Sequence, residues 1–561
     1  MSTPTLHASV TLDRLTFTWP DGQTALDAVS GAFGSARTGL VGRNGAGKST
    51  LLRLMAGELA PTSGVVSASG EVAYLPQQLT LDVDRRVAEL LGVAEALDAV
   101  RAIGAGDVDP AHFDAVGDDW DIEARAEASL AEAGLSPDFL DRRVGELSGG
   151  EAVLVAIAGI RLRRAPITLL DEPTNNLDRD ARAKLAAMVR SWKGTLIVVS
   201  HDISLLELMD DTAELYAQTL SVFGGPYSAW RAWLDAEQDA AKQAEVTAKQ
   251  VLRKEKRQRI EAESKLATRA KMANKAEVEK RVPKIVAHGR KMAAEVSAGK
   301  LRTEVGAKED AARASLDEAG RRVRSDSSMK IELPDPEVSR ARRIAEIGDG
   351  ERSWILQGPE RVALIGRNGA GKTTLLERLV ASAADVHNSS KTDQSETESA
   401  NSDDSGEILR SCERPELEAT ARTDRIGYLP QRVDGLDETR SVFENIADAA
   451  PQVPEKELRN RLARFLIRGA TAERPVAALS GGERFRVALA ALLLTDPAPQ
   501  LVVLDEPTNN LDLDTVDQLV EALRAYRGAV LIVSHDDAFL ARLDLDLTLE
   551  IDAEGMLREV G

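Results

Sequence analysis

The 561-residue sequence has almost no cysteine, and only 4% of its residues are aromatic. Cys412 is the single cysteine, which excludes a disulfide framework and a multi-thiolate zinc or iron–sulfur site within one chain. No apolar run approaches the ~18 residues that span a bilayer, and the N-terminal stretch has neither a basic nor an apolar signal region. We therefore expect a cytoplasmic protein without disulfides or transmembrane segments.

Lysine is also scarce, and 12 of the 19 lysines lie between Lys242 and Lys308. The whole chain has 71 basic and 91 acidic residues, a net charge of −20. Residues 249–302 reverse this balance with 17 basic and 6 acidic residues, which leaves −31 for the rest of the chain. Such a segment could neutralise the phosphates of a nucleic acid. A solvated helical linker is the alternative interpretation.

Several motifs occur twice along the chain. The pairs are GRNGAGKST at 42–50 and GRNGAGKTT at 366–374, YLPQ at 74–77 and 428–431, LSGGE at 147–151 and 479–483, LDEPTNNLD at 170–178 and 504–512, and SHD at 200–202 and 534–536. A fixed offset of 334 residues separates Glu172 from Glu506 and His201 from His535. The chain therefore contains two copies of one domain.

The fold class that follows is α/β, with two tandem P-loop nucleotide-binding domains joined by a long α-helical hairpin. We place the first copy at 1–236, the linker at 237–330 and the second copy at 331–561. The apolar runs that end in Asp-Glu are typical of strands buried on both faces of a parallel sheet.

Two segments outside the repeated motifs carry further expectations. Between Gln238 and Arg281 the linker has no Gly or Pro, which predicts a long helix ended by Pro283. A turn near 283–299 and a second, antiparallel helix should follow. A Ser-, Asp- and Glu-rich stretch at about 382–420 has few apolar residues, which predicts a disordered acidic insert.

The pattern G-x-x-x-x-G-K-[ST] binds phosphate groups, because its glycines let backbone amides close around them. Lys48 and Lys372 should reach the β and γ phosphates, and Ser49 and Thr373 should offer hydroxyls to Mg²⁺. The predicted ATP-binding residues are Trp19, Gly42, Asn44, Gly45, Gly47, Lys48, Ser49, Thr50, Gln77, Gly366, Asn368, Gly369, Gly371, Lys372, Thr373, Thr374 and Gln431.

The Asp-Glu pairs and the histidines supply the candidate groups for hydrolysis. Each aspartate would hold Mg²⁺, each following glutamate would activate or orient the attacking water, and each histidine would contact the γ-phosphate. The candidate catalytic residues are Glu172, Glu506, His201 and His535, and the candidate Mg²⁺ residues are Ser49, Asp171, Thr373 and Asp505, with Gln77 and Gln431. The alternative is that both acids of each pair only tune the metal.

Together, the P-loop, the glutamine of YLPQ, LSGG, DEPTNNLD and SHD resemble the motifs of an ATP-binding-cassette ATPase. Two such copies, no membrane segment and a basic helical connector are similar to the ABC-F subfamily, in particular to its actinobacterial antibiotic-resistance branch. The resemblance implies a monomer in which the two copies form a head-to-tail ATP sandwich, the signature of each copy completing the site of the other. The signature residues are Ser148, Gly149, Gly150, Ser480, Gly481 and Gly482.

Adenine recognition should differ between the two copies. Trp19 lies 29 residues before Lys48 and could stack on the base. Residues 331–353 contain no aromatic residue, so the second site would hold adenine by aliphatic contact only.

The resemblance implies a ribosome partner, through ribosomal RNA and tRNA near the exit-tRNA site. Its linker would remodel the peptidyl-transfer region and give resistance to macrolide, lincosamide, streptogramin or pleuromutilin antibiotics. Two alternatives remain open, namely a general translation-regulating factor and the ATP-binding subunit of a drug exporter. A DNA-repair ATPase is disfavoured, because its zinc hook would need linker cysteines. The candidate RNA-contact residues are Lys284, His288, Arg290, Lys291, Lys300 and Arg302.

Overall fold

The computed structural model defines the secondary structure, burial and contacts of most of the chain. The described residues are 8–77, 79, 83–175, 177–278, 284–324, 333–392, 417–431, 435–465, 467–479, 481–509, 511–552 and 554–560.

The strands and helices below are numbered in chain order. The strands are β1 (Val10–Thr18), β2 (Thr24–Phe33), β3 (Arg37–Val41), β4 (Ser63–Ala68), β5 (Val72–Leu75), β6 (Ile167–Asp171), β7 (Thr195–Val199), β8 (Asp211–Tyr216), β9 (Thr219–Gly224), β10 (Arg343–Gly348), β11 (Ser353–Gln357), β12 (Arg361–Gly366), β13 (Glu418–Ala421), β14 (Ile426–Leu429), β15 (Leu501–Asp505), β16 (Ala529–Val533), β17 (Leu547–Ile551) and β18 (Leu557–Glu559). The α-helices are α1 (Lys48–Met55), α2 (Val87–Leu91), α3 (Ala94–Gly104), α4 (Pro110–Val116), α5 (Ile122–Glu132), α6 (Gly149–Arg163), α7 (Arg179–Arg190), α8 (Ile203–Leu206), α9 (Tyr227–Val278), α10 (Lys284–Arg322), α11 (Lys372–Thr392), α12 (Val442–Ala449), α13 (Glu455–Arg464), α14 (Ala470–Glu473), α15 (Gly481–Leu493), α16 (Leu513–Ala525) and α17 (Asp537–Leu540). Short 3-10 helices cover Pro137–Asp141, Val144–Glu146 and Val476–Ala478.

The core of each copy is a six-stranded sheet with the same strand order. The orders are β5-β6-β7-β3-β8-β9 and β14-β15-β16-β12-β17-β18, parallel except for the last pair in each sheet. Every residue of β6 and β15 is buried, as their continuous apolar sequences predict. The α/β fold class and the two P-loop domains are thereby confirmed.

A three-stranded antiparallel sheet accompanies each core sheet, in the orders β2-β1-β4 and β11-β10-β13. In the first copy the buried side chains of β1 and β2 share one hydrophobic cluster with Leu51 and Leu52 of α1. Trp19 packs against this cluster immediately after β1. This packing brings the end of β1 to the helix that starts at the phosphate loop.

The linker forms a helical hairpin that is a compact unit of its own, residues 228–327, and the other unit consists of 1–227 and 328–561. The amide of Arg324 donates to Oε1 of Gln238 at 2.8 Å, and Arg259 pairs with the buried Glu309 at 3.1 Å. The later of the two residues on α9 contacts the earlier position in the second half of the hairpin, so α9 and α10 run antiparallel.

The prediction of a turn near 283–299 is wrong, because α10 is already helical from Lys284. Gly289 and Gly299 lie inside that helix. An interior glycine costs a helix only about 1 kcal/mol relative to alanine, and this 39-residue helix contains four of them, including Gly306 and Gly320. Residues 279–283, which connect α9 to α10, lie outside the described residues.

The predicted disordered insert at about 382–420 is corrected at both of its ends. Helix α11 runs to Thr392, and β13 begins at Glu418 and pairs with β10. The helix continues because residues 381–392 contain neither Gly nor Pro and follow a turn already nucleated at the phosphate loop. Residues 393–416, which hold most of the acidic positions of the insert, lie outside the described residues.

Candidate functional site

The phosphate loop of the first copy joins β3 to α1. Gly42 has a φ of 153°, and a Cβ there would lie 2.6 Å from the carbonyl oxygen of Leu215. Lys48 is 6% exposed, and its Nζ donates to the carbonyls of Gly42 and Arg43 at 2.6 and 3.1 Å. Burial lowers the pKa of Lys48. The loop thus points a desolvated ammonium into its own concave side, where a phosphate would lie.

The second copy repeats this geometry between β12 and α11. Nζ of Lys372 donates to the carbonyls of Gly366 and Arg367 at 2.7 and 3.0 Å, and burial lowers its pKa too. Gly366 has a φ of 150°, and its Cβ position would lie 2.7 Å from the carbonyl oxygen of Ile551.

Each loop brings a hydroxyl to the aspartate at the end of the neighbouring strand. Ser49 Oγ donates to Asp171 Oδ1 at 3.2 Å, and Thr373 Oγ1 donates to Asp505 Oδ2 at 2.8 Å. Tyr74 OH also donates to Asp171, at 3.4 Å. A hydroxyl beside a carboxylate is a hard-oxygen pair of the kind Mg²⁺ binds together with waters and substrate phosphates. The described residues contain no cluster of three or more His, Cys, Asp or Glu that could hold a metal without such partners.

Glu172 follows Asp171 and has a left-handed backbone, with a φ of 49°. Its side chain is 7% exposed and accepts from the amide of His201 at 3.3 Å through Oε2. The other oxygen, Oε1, lies 3.2 Å from His201 Nε2 but has no well-formed hydrogen bond within the described chain. Burial raises the pKa of Glu172 to about 8 and lowers that of His201 to about 3. An unsatisfied, proton-accepting oxygen in this position fits a water as its partner.

Glu506 and His535 repeat the pair, with one difference. The amide of His535 donates to Glu506 Oε2 at 3.3 Å, and Glu506 also has a positive φ of 47°. Burial raises the pKa of Glu506 to about 7. Here Nε2 of His535 lies 3.0 Å from both Lys372 Nζ and Asn368 Oδ1, so the imidazole contacts its own phosphate loop.

Two carboxylates accept hydrogen bonds from backbone amides of the other copy's phosphate loop. Asp512 Oδ2 accepts from the backbone amide of Asn44 at 2.9 Å. Asp178 Oδ2 accepts from the amide of Asn368 at 3.4 Å. Each aspartate also caps a helix of its own copy, α16 and α7 respectively.

The two nucleotide pockets draw residues from both copies. The first has a volume of about 410 Å³, and Gly481 of the second copy lines it together with Trp19. Phe17 meets the Trp19 ring edge-on at 4.9 Å. The second pocket, of about 380 Å³, takes Leu177 from the first copy. Among the described residues that line this second pocket, none is Phe, Tyr or Trp.

Most predicted site residues converge on these pockets. Those lining the first are Trp19, Asn44, Gly45, Gly47, Lys48, Ser49, Thr50, Gln77, Glu172 and His201. Those lining the second are Asn368, Gly369, Gly371, Lys372, Thr373, Thr374, Gln431, Asp505, Glu506 and His535.

The two signature segments are placed differently. Gly481 reaches the first pocket, and Gly482 lies beside Thr515. Ser480 lies outside the described residues. Ser148, Gly149 and Gly150 begin α6 in a Ser148–Glu151 capping box and are not among the described residues that line the second pocket. Among the described residues, therefore, only the first pocket is lined by a signature residue of the other copy.

The predicted RNA-contact residues all lie in α10. Lys300 and Arg302 are exposed. Lys284, His288, Arg290 and Lys291 are helical, but the contacts of their side chains lie outside the described part of the chain.

Sequence reasoning missed Asp178 and Asp512 as residues of the site, together with the pocket-lining Asn175 and Asn509. All four belong to the repeated LDEPTNNLD motif. Their identical spacing in both copies was the signal that could have identified them.

Comparison with known proteins agrees with this geometry. The family model described as ABC transporter matches residues 32–175 and 351–509. The tylosin resistance ATP-binding protein TlrC of Streptomyces fradiae is 31% identical over 93% of this chain and 94% of its own. The probable ATP-binding protein YheS of Escherichia coli K12 is 31% identical over 92% of this chain and 74% of its own.

A solved complex of an archaeal ribosomal stalk protein with an archaeal ribosome recycling factor has a chain that superposes with a TM-score of 0.54. Its identity is 20%, over 97% of this chain and 89% of that one, so the likeness concerns the fold. Within the described residues, no helix has the length and apolarity required to cross a membrane.

Proposed function

Since the chain belongs to the F subfamily of the ATP-binding-cassette ATPases, we propose that it binds the ribosome near the exit-tRNA site and uses its linker to remodel the peptidyl-transfer region. The expected outcome is resistance to macrolide, lincosamide, streptogramin or pleuromutilin antibiotics. The observation that carries the proposal is similarity over nearly the whole length of a protein named for tylosin resistance.

ATP hydrolysis is the activity of the family, and the residue roles are our proposal. When bound, Mg²⁺ would neutralise charge on the phosphates; Ser49 with Asp171, and Thr373 with Asp505, are placed to hold it. Glu172 and Glu506 each have a desolvated side-chain oxygen without a hydrogen-bond partner in the described chain, and in their ionised form these oxygens would accept a proton from the attacking water. Lys48 and Lys372 would hold the β and γ phosphates, and His201 and His535 would contact the γ-phosphate.

Docking of the copies should be coupled to nucleotide occupancy. Asp512 bonds to the loop that would surround the phosphates of the first site, and Gly481 lines the same pocket. ATP would therefore be contacted from both copies. Its hydrolysis removes the γ-phosphate from between them, which favours separation.

The linker supplies the RNA contact in this proposal. Its segment 249–302 carries 17 basic and 6 acidic residues in a chain of net charge −20. Lys300 and Arg302 are exposed on α10, where solvent or a phosphate backbone can reach them. The acidic remainder would disfavour non-specific RNA binding elsewhere on the chain.

A general translation-regulating factor is the second candidate. It would use the same two ATP sites and the same basic linker, without protecting the ribosome from an antibiotic. The drug-exporter alternative would require a separate membrane partner, and a basic helical hairpin has no role in it.

The deciding experiment uses the Glu172→Gln, Glu506→Gln double variant. It should bind ATP without hydrolysing it, so that the two copies stay together around the nucleotide. In this state it should co-sediment with 70S ribosomes in the presence of ATP. The wild-type protein with ADP is the matched control, and it should stay in the supernatant. Resistance conferred by the wild-type protein would then be measured as minimum inhibitory concentrations for a lincosamide, a macrolide and a pleuromutilin in a sensitive host.

Three outcomes separate the candidates. Ribosome pelleting with raised inhibitory concentrations supports the resistance role. Pelleting without resistance supports the general factor. If the double variant never pellets with ribosomes, the ribosome proposal is wrong.

A further inference from the structure

A groove in the first copy lies apart from both ATP pockets and shares no lining residue with them. Its volume is about 690 Å³. It lies where α5, the C-terminal end of α6 and the connection between α7 and β7 come together. The ATPase chemistry described above uses none of its side chains.

The groove collects positive charge in a chain that is acidic overall. Its lining contains Arg125, Arg161, Arg164 and Lys193 against one carboxylate, Glu132. Arg161 pairs with Glu132 at 3.2 Å, and Arg125 pairs with Asp119 at 2.5 Å.

The other two cations, Arg164 and Lys193, are exposed, and their side chains make no hydrogen bond or ion pair within the described chain. Arg164 ends α6 with a left-handed backbone, φ 54°, a conformation that glycine usually supplies at a helix end. Two unpaired cations on one concave surface favour an anionic ligand.

Trp192 adds an aromatic surface to the same groove. The ring is half-buried and packs against the hydrophobic cluster that includes Leu185 and Val189. That packing fixes the indole in place while part of it faces the groove. A fixed aromatic ring beside cations is the combination on which bases stack while their phosphates are neutralised.

The second copy shows what the same position looks like when it is closed. Tyr526 lies 334 residues after Trp192 and is its counterpart in the second copy. Its side chain is 3% exposed, and its hydroxyl donates a hydrogen bond to the carbonyl of Pro499 at 2.6 Å. Arg527, in place of Lys193, pairs with Asp335 at 3.3 Å. Arg425 donates to the carbonyl of Ala498. Because the second copy keeps a complete phosphate loop, nucleotide binding does not explain the open basic groove of the first.

We propose that this groove binds a single-stranded segment of RNA, with Arg164 and Lys193 on neighbouring phosphates and one base stacked on Trp192. Duplex RNA would keep its bases stacked inside the helix, so a single strand is the form that can use the indole. The inference deepens the proposed function by adding a second RNA contact, and it depends on that function only for the ribosomal origin of the RNA.

The test uses the full chain and a fluorescein-labelled single-stranded RNA of about ten nucleotides, followed by anisotropy at about 50 and 200 mM KCl. The groove variant is Arg164→Glu, Lys193→Glu. Its matched control is Arg524→Glu, Arg527→Glu, which makes the same charge change on the second copy. ATPase activity checks that both variants fold.

The groove variant should bind at least about tenfold more weakly at the lower salt, and its salt slope should fall by about 1.4, since each lost single-strand phosphate contact removes about 0.7. The control should stay within about twofold of wild type. Trp192→Ala should weaken binding about fivefold or more without changing the slope, and Trp192→Phe should restore it. Equal losses in the groove variant and the control, or no loss in either, would overturn the proposal.

Cross-linking separates the groove from the linker. RNA carrying 4-thiouridine should cross-link to the peptide that contains Trp192, and this product should disappear in the groove variant but persist in Lys284→Ala, Arg290→Ala, Lys291→Ala. Cross-links confined to α9 and α10 would refute the groove. A wild-type protein that gives the Trp192 cross-link and never pellets with ribosomes would refute the proposed function and leave the groove proposal standing.

Discussion

The carboxylate of Asp512 accepts a hydrogen bond from the backbone amide of Asn44, across the two copies, at 2.9 Å. Its second oxygen accepts from the amide of Thr515 at 2.9 Å and so caps helix α16. Burial opposes the charged form, but the hydrogen bonds from Thr515 and Asn44 hold the pKa of Asp512 below its usual value. One ionised side chain therefore joins a helix end of the second copy to the phosphate loop of the first.

Replacing Asp512 by Ala should lower both stability and turnover. Loss of the helix cap should cost about 1 kcal/mol in the free energy of unfolding, measured by urea denaturation. Loss of the bond to Asn44 should reduce steady-state ATPase activity by about tenfold, equivalent to about 1.4 kcal/mol.

Asp512→Asn is the control, since asparagine keeps the cap and an acceptor oxygen. It should unfold like wild type and retain more activity than the Ala variant. Asp178→Ala should have the smaller catalytic effect, because its bond to Asn368 is longer, 3.4 Å. Wild-type turnover in Asp512→Ala would contradict the coupling of the copies through this residue.

Trp19→Ala should weaken ATP binding at the first site only. We expect a loss of about 1–3 kcal/mol, the usual worth of a base stacked on an aromatic ring. The measurement is ATP affinity in a Lys372→Ala background, where the second site is disabled. Trp19→Phe should recover most of the affinity, and Trp120→Ala, which removes an exposed indole, should change nothing. Unchanged affinity in Trp19→Ala would mean that the indole does not contact the base.

Gly42→Ala should destabilise the first copy more than Gly45→Ala. Both glycines have positive φ, so alanine is strained at either position. A Cβ at Gly42 would also lie 2.6 Å from the carbonyl oxygen of Leu215, whereas one at Gly45 has no neighbour within 4 Å. We expect a loss of about 1 kcal/mol for Gly45→Ala and a larger one for Gly42→Ala, compared by urea denaturation. Equal losses would show that β8, which contains Leu215, moves away from the added methyl group without a cost in free energy.

The linker can be tested by separating its charge from its shape. Lys284→Ala, Arg290→Ala, Lys291→Ala should weaken ribosome pelleting and reduce its salt slope by up to about one unit per lost phosphate contact. Substitutions confined to 285–288 remove little charge, so pelleting should survive while antibiotic protection fails. If both sets leave pelleting and inhibitory concentrations unchanged, the hairpin only spaces the two copies.

The sequence predicted the parts of the site that lie close together along the chain. The phosphate loop, the buried strand that ends in Asp171 and the glutamate after it depend on local backbone geometry and on apolar runs, and the structure has them in both copies. The role of Glu172 as the desolvated carboxylate remains a prediction about chemistry, supported by its unpartnered oxygen. Repetition of the phosphate loop at an offset of 324 residues, and of the Asp-Glu pair at an offset of 334, made these predictions possible without any other sequence.

Contacts between distant segments could not be read in the same way. Among the described residues that line the second pocket, the first copy contributes Leu177 and none of residues 148–150. Which residues of the first copy reach this pocket depends on how the two copies pack together. The continuation of α10 through Gly289 and Gly299 likewise depends on 39 residues of helix rather than on two local penalties.

The two copies, their sheets and the chemistry of each phosphate loop can thus be predicted from the amino-acid order, because those features follow from the residues within a short segment. Only the tertiary structure placed Asp512 on Asn44 and left Trp192, Arg164 and Lys193 around an open groove while Tyr526 closed the matching position. These arrangements join side chains that lie far apart in the chain. Packing of whole elements decides such distances, and no local pattern of residues encodes them.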